Sequence, residues 1–273
     1  MLRIKFRDID FVMADEFPPY NQEFFERVNS HQWEPDTIGF LENHLDSSTV
    51  FVDIGASTGI TTLIAASLGS YVFSYEPMIG EYRTLVSNVN ANPNLKNKIQ
   101  LNNCALSNST FNKDFNPDLD WDNNDIISPI NYESGGRPRQ ELQIRDIKQE
   151  MEYWSVINRK IVAKVDIEGA EFRIFCDFEC LLKFSKIKPI ILLALHPGAH
   201  RPHKKFFPVI DRISFEFFRF LNRRDCRKIY QNVISTGGSI KMLDCEIVPN
   251  AKTFAKMVNA GLLEFVIDFR DRI

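Results

Sequence analysis

The sequence predicts an α/β fold in which helices cover a doubly wound, mostly parallel sheet. An apolar β-type run from Thr49 to Val52 enters a turn with two glycines, and a helical pattern follows from Ile60 to Leu68. A second β run covers Tyr71 to Tyr75, and Ile190 to Leu195 is apolar throughout, as expected of a strand buried on both faces. Strands that alternate with helices in this order are typical of a parallel sheet with crossover helices.

The N-terminal residues 1–45 are expected to form a strand and helical cap. A short strand or hairpin is predicted from Ile4 to Met13, followed by two helices. Apolar side chains at helical spacing, such as Phe24 and Val28, support the helices. Residues 46–273 are expected to form one α/β domain, since 44% hydrophobic and 25% charged residues make an ordinary globular composition.

Further elements are predicted along this domain. Lys98 to Ser107 is a third β run, which we expect to end at the same edge of the sheet as the first two. Lys148 to Trp154 is predicted to be a helix and Lys160 to Asp166 the fourth strand. An amphipathic helix and a closing antiparallel strand pair are predicted over Phe206–Leu221, Lys228–Ile234 and Leu263–Phe269.

A polar stretch at about 112–140 predicts a lid-like insertion. It is rich in proline, glycine and aspartate, and long connections inside a compact domain are commonly functional. Trp121 and Tyr132 give it side chains to pack with, which favours a flap on the substrate side. The alternating aspartates Asp118 and Asp122 resemble a calcium loop, but the following glycine and the bidentate glutamate are missing. We therefore expect no metal.

The turn after the first strand carries the most specific chemistry. Gly55 and Gly59 are separated by residues that include Ala56 and Ser57, so the Gly-x-Gly-x-x-Gly pattern of dinucleotide sites is missing. Asp53 at the strand end would repel a pyrophosphate on the helix N-terminus. It suits a ligand with an ammonium group and no phosphate, a description that S-adenosylmethionine meets.

The second strand end supports the same ligand. The number of residues between Gly55 and Glu76 is about that at which doubly wound folds place an acid that binds both ribose hydroxyls. Pro77 ends the strand directly after Glu76. The third run carries Ala105 and Leu106, which we expect to flank the adenine base. The alternative is that Glu76 is only a solvated cap of its βα unit.

A second motif carries a family resemblance. Four segments contribute to it: Ala163–Glu171, Asp53–Ala56, Tyr75–Pro77 and Ala105–Ser107. Together they resemble the FkbM family of S-adenosylmethionine-dependent methyltransferases, from about Trp33 to Pro197. The resemblance implies a Rossmann-like, seven-stranded methyltransferase sheet and O-methylation of a sugar, glycan or other small metabolite hydroxyl. The family often has a glutamate before the histidine, where this sequence has Ala194 and Leu195.

Two glutamates are assigned through this resemblance. It places Glu34 near the cofactor, whereas the residues themselves indicate equally well that Glu34 starts a helix before Pro35. Glu168 is expected to reach the amino end of the cofactor or the acceptor. Glu171 is sufficiently explained as a carboxylate in the first turn of a helix, where the helix dipole stabilises it.

Methyl transfer is an in-line displacement, so the protein must align donor and acceptor and remove a proton. Asp166 ends the fourth strand and is favoured as the base or as the group that orients the acceptor hydroxyl. His196 ends the fifth strand and is the second candidate, although a histidine before Pro197 can simply hydrogen-bond a turn. Lys164 shares a strand face with Asp166 and is expected to be its ion-pair partner.

Composition excludes several other classes. A net charge of −3 and a pI near 6.0 do not indicate a nucleic-acid partner, and no apolar run is long enough to predict a membrane span. The short basic runs 200–205 and 223–228 are expected to be solvated. Five cysteines without a Cys-x-x-Cys pair indicate core thiols and, with no signal peptide pattern, a cytoplasmic protein. A homodimer is compatible with the sequence.

Two alternatives remain open at this level. A non-catalytic adenosyl-binding or scaffolding domain would show the same fold and the same strand ends. A nicotinamide-dependent dehydrogenase is disfavoured by the missing Gly-x-Gly-x-x-Gly.

Overall fold

The structure is a computed structural model that describes residues 2–14, 22–109, 111–115, 140–167, 170–196, 223–243 and 246–270. Most of the predicted insertion therefore lies outside the described residues. The same holds for the predicted helix from Phe206 to Leu221 and for Glu168.

The elements follow one another in the order expected of an α/β chain. The described strands are β1 (Leu2–Phe6), β2 (Ile9–Met13), β3 (Thr49–Ile54), β4 (Tyr71–Tyr75), β5 (Ile99–Asn102), β6 (Ala105–Ser107), β7 (Phe111–Phe115), β8 (Gln140–Asp146), β9 (Lys160–Val165), β10 (Ile190–Ala194), β11 (Ser239–Lys241) and β12 (Glu264–Asp268). The described helices are α1 (Gln22–Asn29), α2 (Pro35–His44), α3 (Ile60–Ser67), α4 (Ile79–Asn90), α5 (Pro93–Lys96), α6 (Ile147–Ser155), α7 (Glu171–Phe175), α8 (Phe178–Ile187), α9 (223–235) and α10 (Ala251–Asn259).

Seven strands form the principal sheet in the order β11-β12-β10-β9-β3-β4-β5. Strand β4 is parallel to β3 and β5, whereas β12 is antiparallel to β10 and β11. The predicted α/β fold with a doubly wound, seven-stranded sheet is confirmed, and of the predicted closing pair the strand from Leu263 to Phe269 is present as β12. The strand order reverses at β3, and ligands of such sheets bind outside the carboxyl ends of the strands beside the reversal.

The chain divides into two compact units. Unit 1 comprises Met1–Leu106 with Glu152–Lys164, and unit 2 comprises Ser107–Met151 with Val165–Ile273. Besides the principal sheet, β1 and β2 form an antiparallel hairpin, and β6, β8 and β7 form a three-stranded sheet. No helix within the described ranges has both the length and the apolar character of a membrane span.

The predicted N-terminal hairpin and its two helices are present in unit 1. Strand β2 packs on α3, and the side chain of Asn92 bonds both backbone groups of Val12, at 2.8 and 2.7 Å. The side chain of Asn88 accepts from the backbone N–H of Ala14 and donates to the carbonyl of Thr58, 2.8 Å away. The hairpin is thereby tied to α4 and to the turn that follows β3.

Two predictions about strands are wrong. The run from Lys98 to Ser107 is split into β5 and β6, which belong to different sheets. The chain leaves β5 at Asn103, whose side-chain amide donates to the carbonyls of Glu76 and Pro77. These bonds hold the end of β4 and interrupt the third run.

The second error concerns the predicted strand from Lys228 to Ile234, which lies in α9. The buried side chains of this stretch, Cys226, Ile229 and Val233, recur at helical spacing rather than at every second residue. The strand that pairs with β12 is instead the short β11, which follows a pair of glycines.

Candidate functional site

The turn after β3 is held by the end of β4, within unit 1. The backbone N–H groups of Gly55 and Ala56 both donate to the carbonyl of Tyr75, at 3.0 Å each. Gly55 has a φ of 88°, which a residue with a side chain rarely adopts, and Ser57 has a φ of 49°. The predicted role of Gly55 in turning the backbone is confirmed.

Gly59 has a different task from Gly55. It precedes α3 with a φ of 94°, and a Cβ built there would overlap the side chain of Leu85 in α4. The glycine therefore allows the start of α3 to pack against α4, as the sequence predicted.

Asp53 is fully buried at the end of β3. Its Oδ2 accepts from the hydroxyls of Thr61 and Thr62, at 2.7 Å each, so it fixes the first turn of α3 to the strand. The sequence analysis did not predict the role of these two threonines. Two hydroxyl residues in the first turn of a helix that follows an acid at a strand end would have indicated it. The predicted contact of Asp53 with a cofactor ammonium stays a prediction.

Glu76 joins the end of β4 to the glycine turn. Its Oε2 accepts from the backbone N–H of Ser57 and its Oε1 from that of Met78, both at 2.8 Å, and the residue is 6% exposed. Burial raises the pKa of Glu76 to about 7, against the opposing effect of these two N–H groups, and the negative charges of Glu81 and Asp53 add to the rise. Each carboxylate oxygen keeps a further acceptor position, since it has two lone pairs.

The other predicted cofactor residues lie on different elements. Pro77 is half-buried and accepts from Asn103, and Ala105 and Leu106 are buried in β6. Glu34 is an exposed residue in the left-handed conformation, with a φ of 39°, and precedes α2 as its N-cap. Contacts of these residues with a cofactor stay predictions.

Unit 2 contains an acid–histidine cluster formed by Asp166, Glu171 and His196. The side chain of Glu171 is fully buried, and its Oε1 accepts from the backbone N–H of Ile167 at 2.8 Å. The same oxygen lies 3.2 Å from Nδ1 of His196, and Nε2 of His196 lies 3.7 Å from Oδ1 of Asp166. The side chains of Asp166 and His196 are 28% and 26% exposed, so both reach solvent.

The cluster offers a carboxylate to each nitrogen of the imidazole. In the tautomer with its proton on Nδ1, His196 donates to the carboxylate of Glu171 and has an unprotonated Nε2. That nitrogen can take a proton, and the carboxylates of Glu171 and Asp166 would stabilise the resulting imidazolium. The part that Glu171 plays was missed in the sequence, where its helix-start position was a sufficient explanation.

The same three residues are also those that could hold a divalent cation. One ligand atom from each lies within 4.8 Å of the others, and imidazole nitrogen with carboxylate oxygen is a common donor set for such ions. Lys164, the third predicted catalytic residue, is buried in β9 at 6% exposure. Its predicted pairing with Asp166 stays a prediction, and Glu168 lies outside the described ranges.

The four described cysteines carry no disulfide. Cys180 and Cys226 are buried and Cys176 is partly buried, and burial raises the pKa of each of these thiols to about 12. They are inert core thiols, as the sequence predicted.

No protein-family model matches the sequence, and no curated protein matches it. Among solved structures, it is similar to the methyltransferase FkbM from Methylobacillus flagellatus KT, with 15% identity and a TM-score of 0.41 over 94% of this chain and 56% of that chain. The chain thus spans little more than half the length of that protein.

Two further solved structures are similar over most of both chains. Geranyl diphosphate C-methyltransferase from Streptomyces coelicolor A3(2), solved with Mg²⁺, geranyl diphosphate and S-adenosyl-L-homocysteine, is 10% identical with a TM-score of 0.40, over 94% of this chain and 86% of that chain. Mycolic acid cyclopropane synthase CmaA1 is 13% identical with a TM-score of 0.40, over 94% of this chain and 90% of that chain. At these identities and TM-scores the likenesses do not define what this chain does.

Proposed function

We propose that the protein is an S-adenosylmethionine-dependent methyltransferase that transfers a methyl group to a hydroxyl of a sugar, glycan or other small metabolite. The observation that carries the proposal is the buried carboxylate of Glu76, bonded to the backbone of Ser57 in the glycine turn. It follows β4, the neighbour of the strand β3 at which the strand order reverses, and lies beside a turn whose glycines allow a ligand to approach the backbone.

The charges around this turn favour an adenosyl sulfonium over a dinucleotide. Two vicinal ribose hydroxyls can donate to the two oxygens of Glu76, and hydrogen bonds to a buried carboxylate are strong because little water competes. The buried carboxylate of Asp53 beside the first turn of α3 disfavours a pyrophosphate at that helix. The same negative charge attracts a ligand that carries an ammonium and a sulfonium.

The acid–histidine cluster has the groups that the transfer step requires. S-adenosylmethionine, when bound, would supply the methyl group, and the acceptor hydroxyl would have to give up its proton as its oxygen takes that group. We assign the orientation of the acceptor hydroxyl to Asp166 and the removal of its proton to Nε2 of His196, with Glu171 holding the imidazole in the required tautomer. The proposal is tested in two steps, first for cofactor binding and then for turnover.

Titration calorimetry with S-adenosylmethionine, S-adenosylhomocysteine and NAD provides the first step. We expect both adenosyl ligands to bind and NAD not to bind, and binding of NAD alone would overturn the proposal in favour of a dehydrogenase. Conversion of S-adenosylmethionine to S-adenosylhomocysteine with a panel of hydroxylated metabolites and glycans provides the second. A protein that binds the cofactor but methylates no acceptor of the panel would fit the non-catalytic alternative instead.

A further inference from the structure

A basic pocket lies between α9 and α10, both in unit 2. It encloses about 400 Å³ and is lined by Arg223 and Arg227 from α9 and by Lys252, Lys256 and Asn259 from α10, with two alanines. In each helix the two basic residues are four apart, so they lie on one face. The two helices therefore turn four positive charges toward one space.

All four basic residues are exposed to solvent. The described residues that line the pocket include no carboxylate, and within the described part of the chain the structure records no ion pair or hydrogen bond for the four basic side chains. Asp225 is two residues from each arginine, so it lies on a different face of α9. The side-chain amide of Asn259 donates a hydrogen bond to the carbonyl of Ala255 at 2.6 Å.

Like charges four residues apart weaken a helix slightly, and an anion bound between the two helices would relieve this repulsion. Guanidinium and ammonium groups on two facing walls suit a phosphate, because arginine offers paired N–H donors and lysine a compact charge. The size of the pocket suits a small molecule. A nucleic acid strand would need a longer basic surface, and the chain as a whole has a net charge of −3.

The pocket and the acid–histidine cluster, both in unit 2, are linked by one backbone hydrogen bond. The wall of the pocket ends at Ala260, three residues before Leu263, and the carbonyl of Leu263 accepts from the backbone N–H of Leu195 at 2.8 Å. His196 is the next residue. Three residues span at most about 11 Å, and the bond between Leu263 and Leu195 and the side chain of His196 lengthen this path. A molecule held in the pocket therefore has to extend well beyond its phosphate group to reach the imidazole.

We propose that this pocket is an anion-binding site that holds the phosphate or diphosphate group of a small acceptor, whose hydroxyl is thereby presented near His196. The role of the bound molecule as the methyl acceptor rests on the proposed function. The binding of phosphate groups in the pocket does not.

The test uses calorimetry on the full chain with inorganic pyrophosphate and inorganic phosphate. We expect pyrophosphate to bind more tightly than phosphate, and its affinity to fall as sodium chloride rises from about 50 to about 300 mM. The double variant R227Q/K256Q removes one charge from each wall and should lower pyrophosphate affinity by about tenfold or more. The control R224Q/K228Q removes the same charge from exposed positions of α9 outside the pocket and should change the affinity less than about threefold.

An equal loss in the two double variants would overturn the site, because binding would then follow net charge alone. No pyrophosphate binding to the wild-type protein would overturn it as well, and so would tighter binding of citrate, which carries carboxylates only. S-adenosylhomocysteine affinity, measured in parallel, should be unchanged in R227Q/K256Q. If the wild-type protein binds pyrophosphate but not S-adenosylhomocysteine, the proposed function fails while the anion site stands.

Discussion

Cofactor binding should depend on pH through Glu76. In the unliganded protein burial raises the pKa of Glu76 to about 7. Only the ionised carboxylate has two acceptor oxygens, one for each ribose hydroxyl. Affinity for S-adenosylhomocysteine should therefore be highest above this pKa and fall as the pH drops below it. Between about pH 8 and about pH 6 the ionised fraction falls roughly tenfold, and we expect the affinity to fall by up to about the same factor.

Stability should follow the opposite trend in the unliganded protein. The folded pKa of about 7 lies above the usual value of 4.5, so the folded state binds an extra proton between these values. The stability that this proton contributes is complete below about pH 4.5 and is lost as the pH rises through 7. The full difference corresponds to about 3 kcal/mol, of which only about 1 kcal/mol is lost between about pH 6 and about pH 8.

Calorimetry of S-adenosylhomocysteine binding and urea denaturation, each measured at about pH 6 and about pH 8, test these two effects. The variant Glu76→Gln is the control, because its side chain does not titrate and any titration of the ligand appears equally in both proteins. The reasoning is refuted if the wild-type protein and Glu76→Gln show the same pH dependence of affinity.

Three further predictions concern other residues. Gly59→Ala should destabilise the fold by about 1–3 kcal/mol in a urea denaturation curve, because Gly59 has a positive φ and an added Cβ would overlap a side chain of α4. The control is Gly80→Ala, which should be neutral or slightly stabilising because an added Cβ meets no atom within 4 Å. Asp166→Asn should leave cofactor affinity within a few-fold and lower turnover by up to about 10², as expected for the loss of a group that orients the acceptor; a lowered melting temperature that Lys164→Met restores would show instead that Asp166 neutralises Lys164. Glu171→Gln should lower kcat more than it changes KM and shift the pH profile of kcat, while a loss confined to thermal stability would contradict its role in positioning His196.

The parts of this fold that could be predicted from sequence are those where one signal dominates. The apolar runs of β3, β4 and β10 are buried almost throughout, so their composition alone identifies them. The roles of Gly55 and Gly59 follow from conformations and contacts that only glycine permits. Glu76 was found because a fixed spacing separates it from the glycine turn, although its bond to Ser57 could not be read from that spacing.

The rest depends on contacts between distant segments. The run from Lys228 to Ile234 fits both a strand and a helix over so few residues, and burial against the rest of unit 2 decides for the helix. Glu171 and His196 are far apart in sequence, and neither residue type nor spacing shows that they share a hydrogen bond. The basic run 223–228 was predicted to be solvated, and Arg223, Arg224, Arg227 and Lys228 are exposed as predicted. That two of these residues share a pocket with α10 could not be predicted, because α10 lies more than 20 residues later in the chain.

A crystal structure of the protein with S-adenosylhomocysteine tests the central claim most directly. We expect the adenosyl group to lie against the turn from Gly55 to Gly59, with both ribose hydroxyls within about 3 Å of the carboxylate of Glu76. A ligand bound elsewhere in the chain, or bound at this turn without a contact to Glu76, would contradict it.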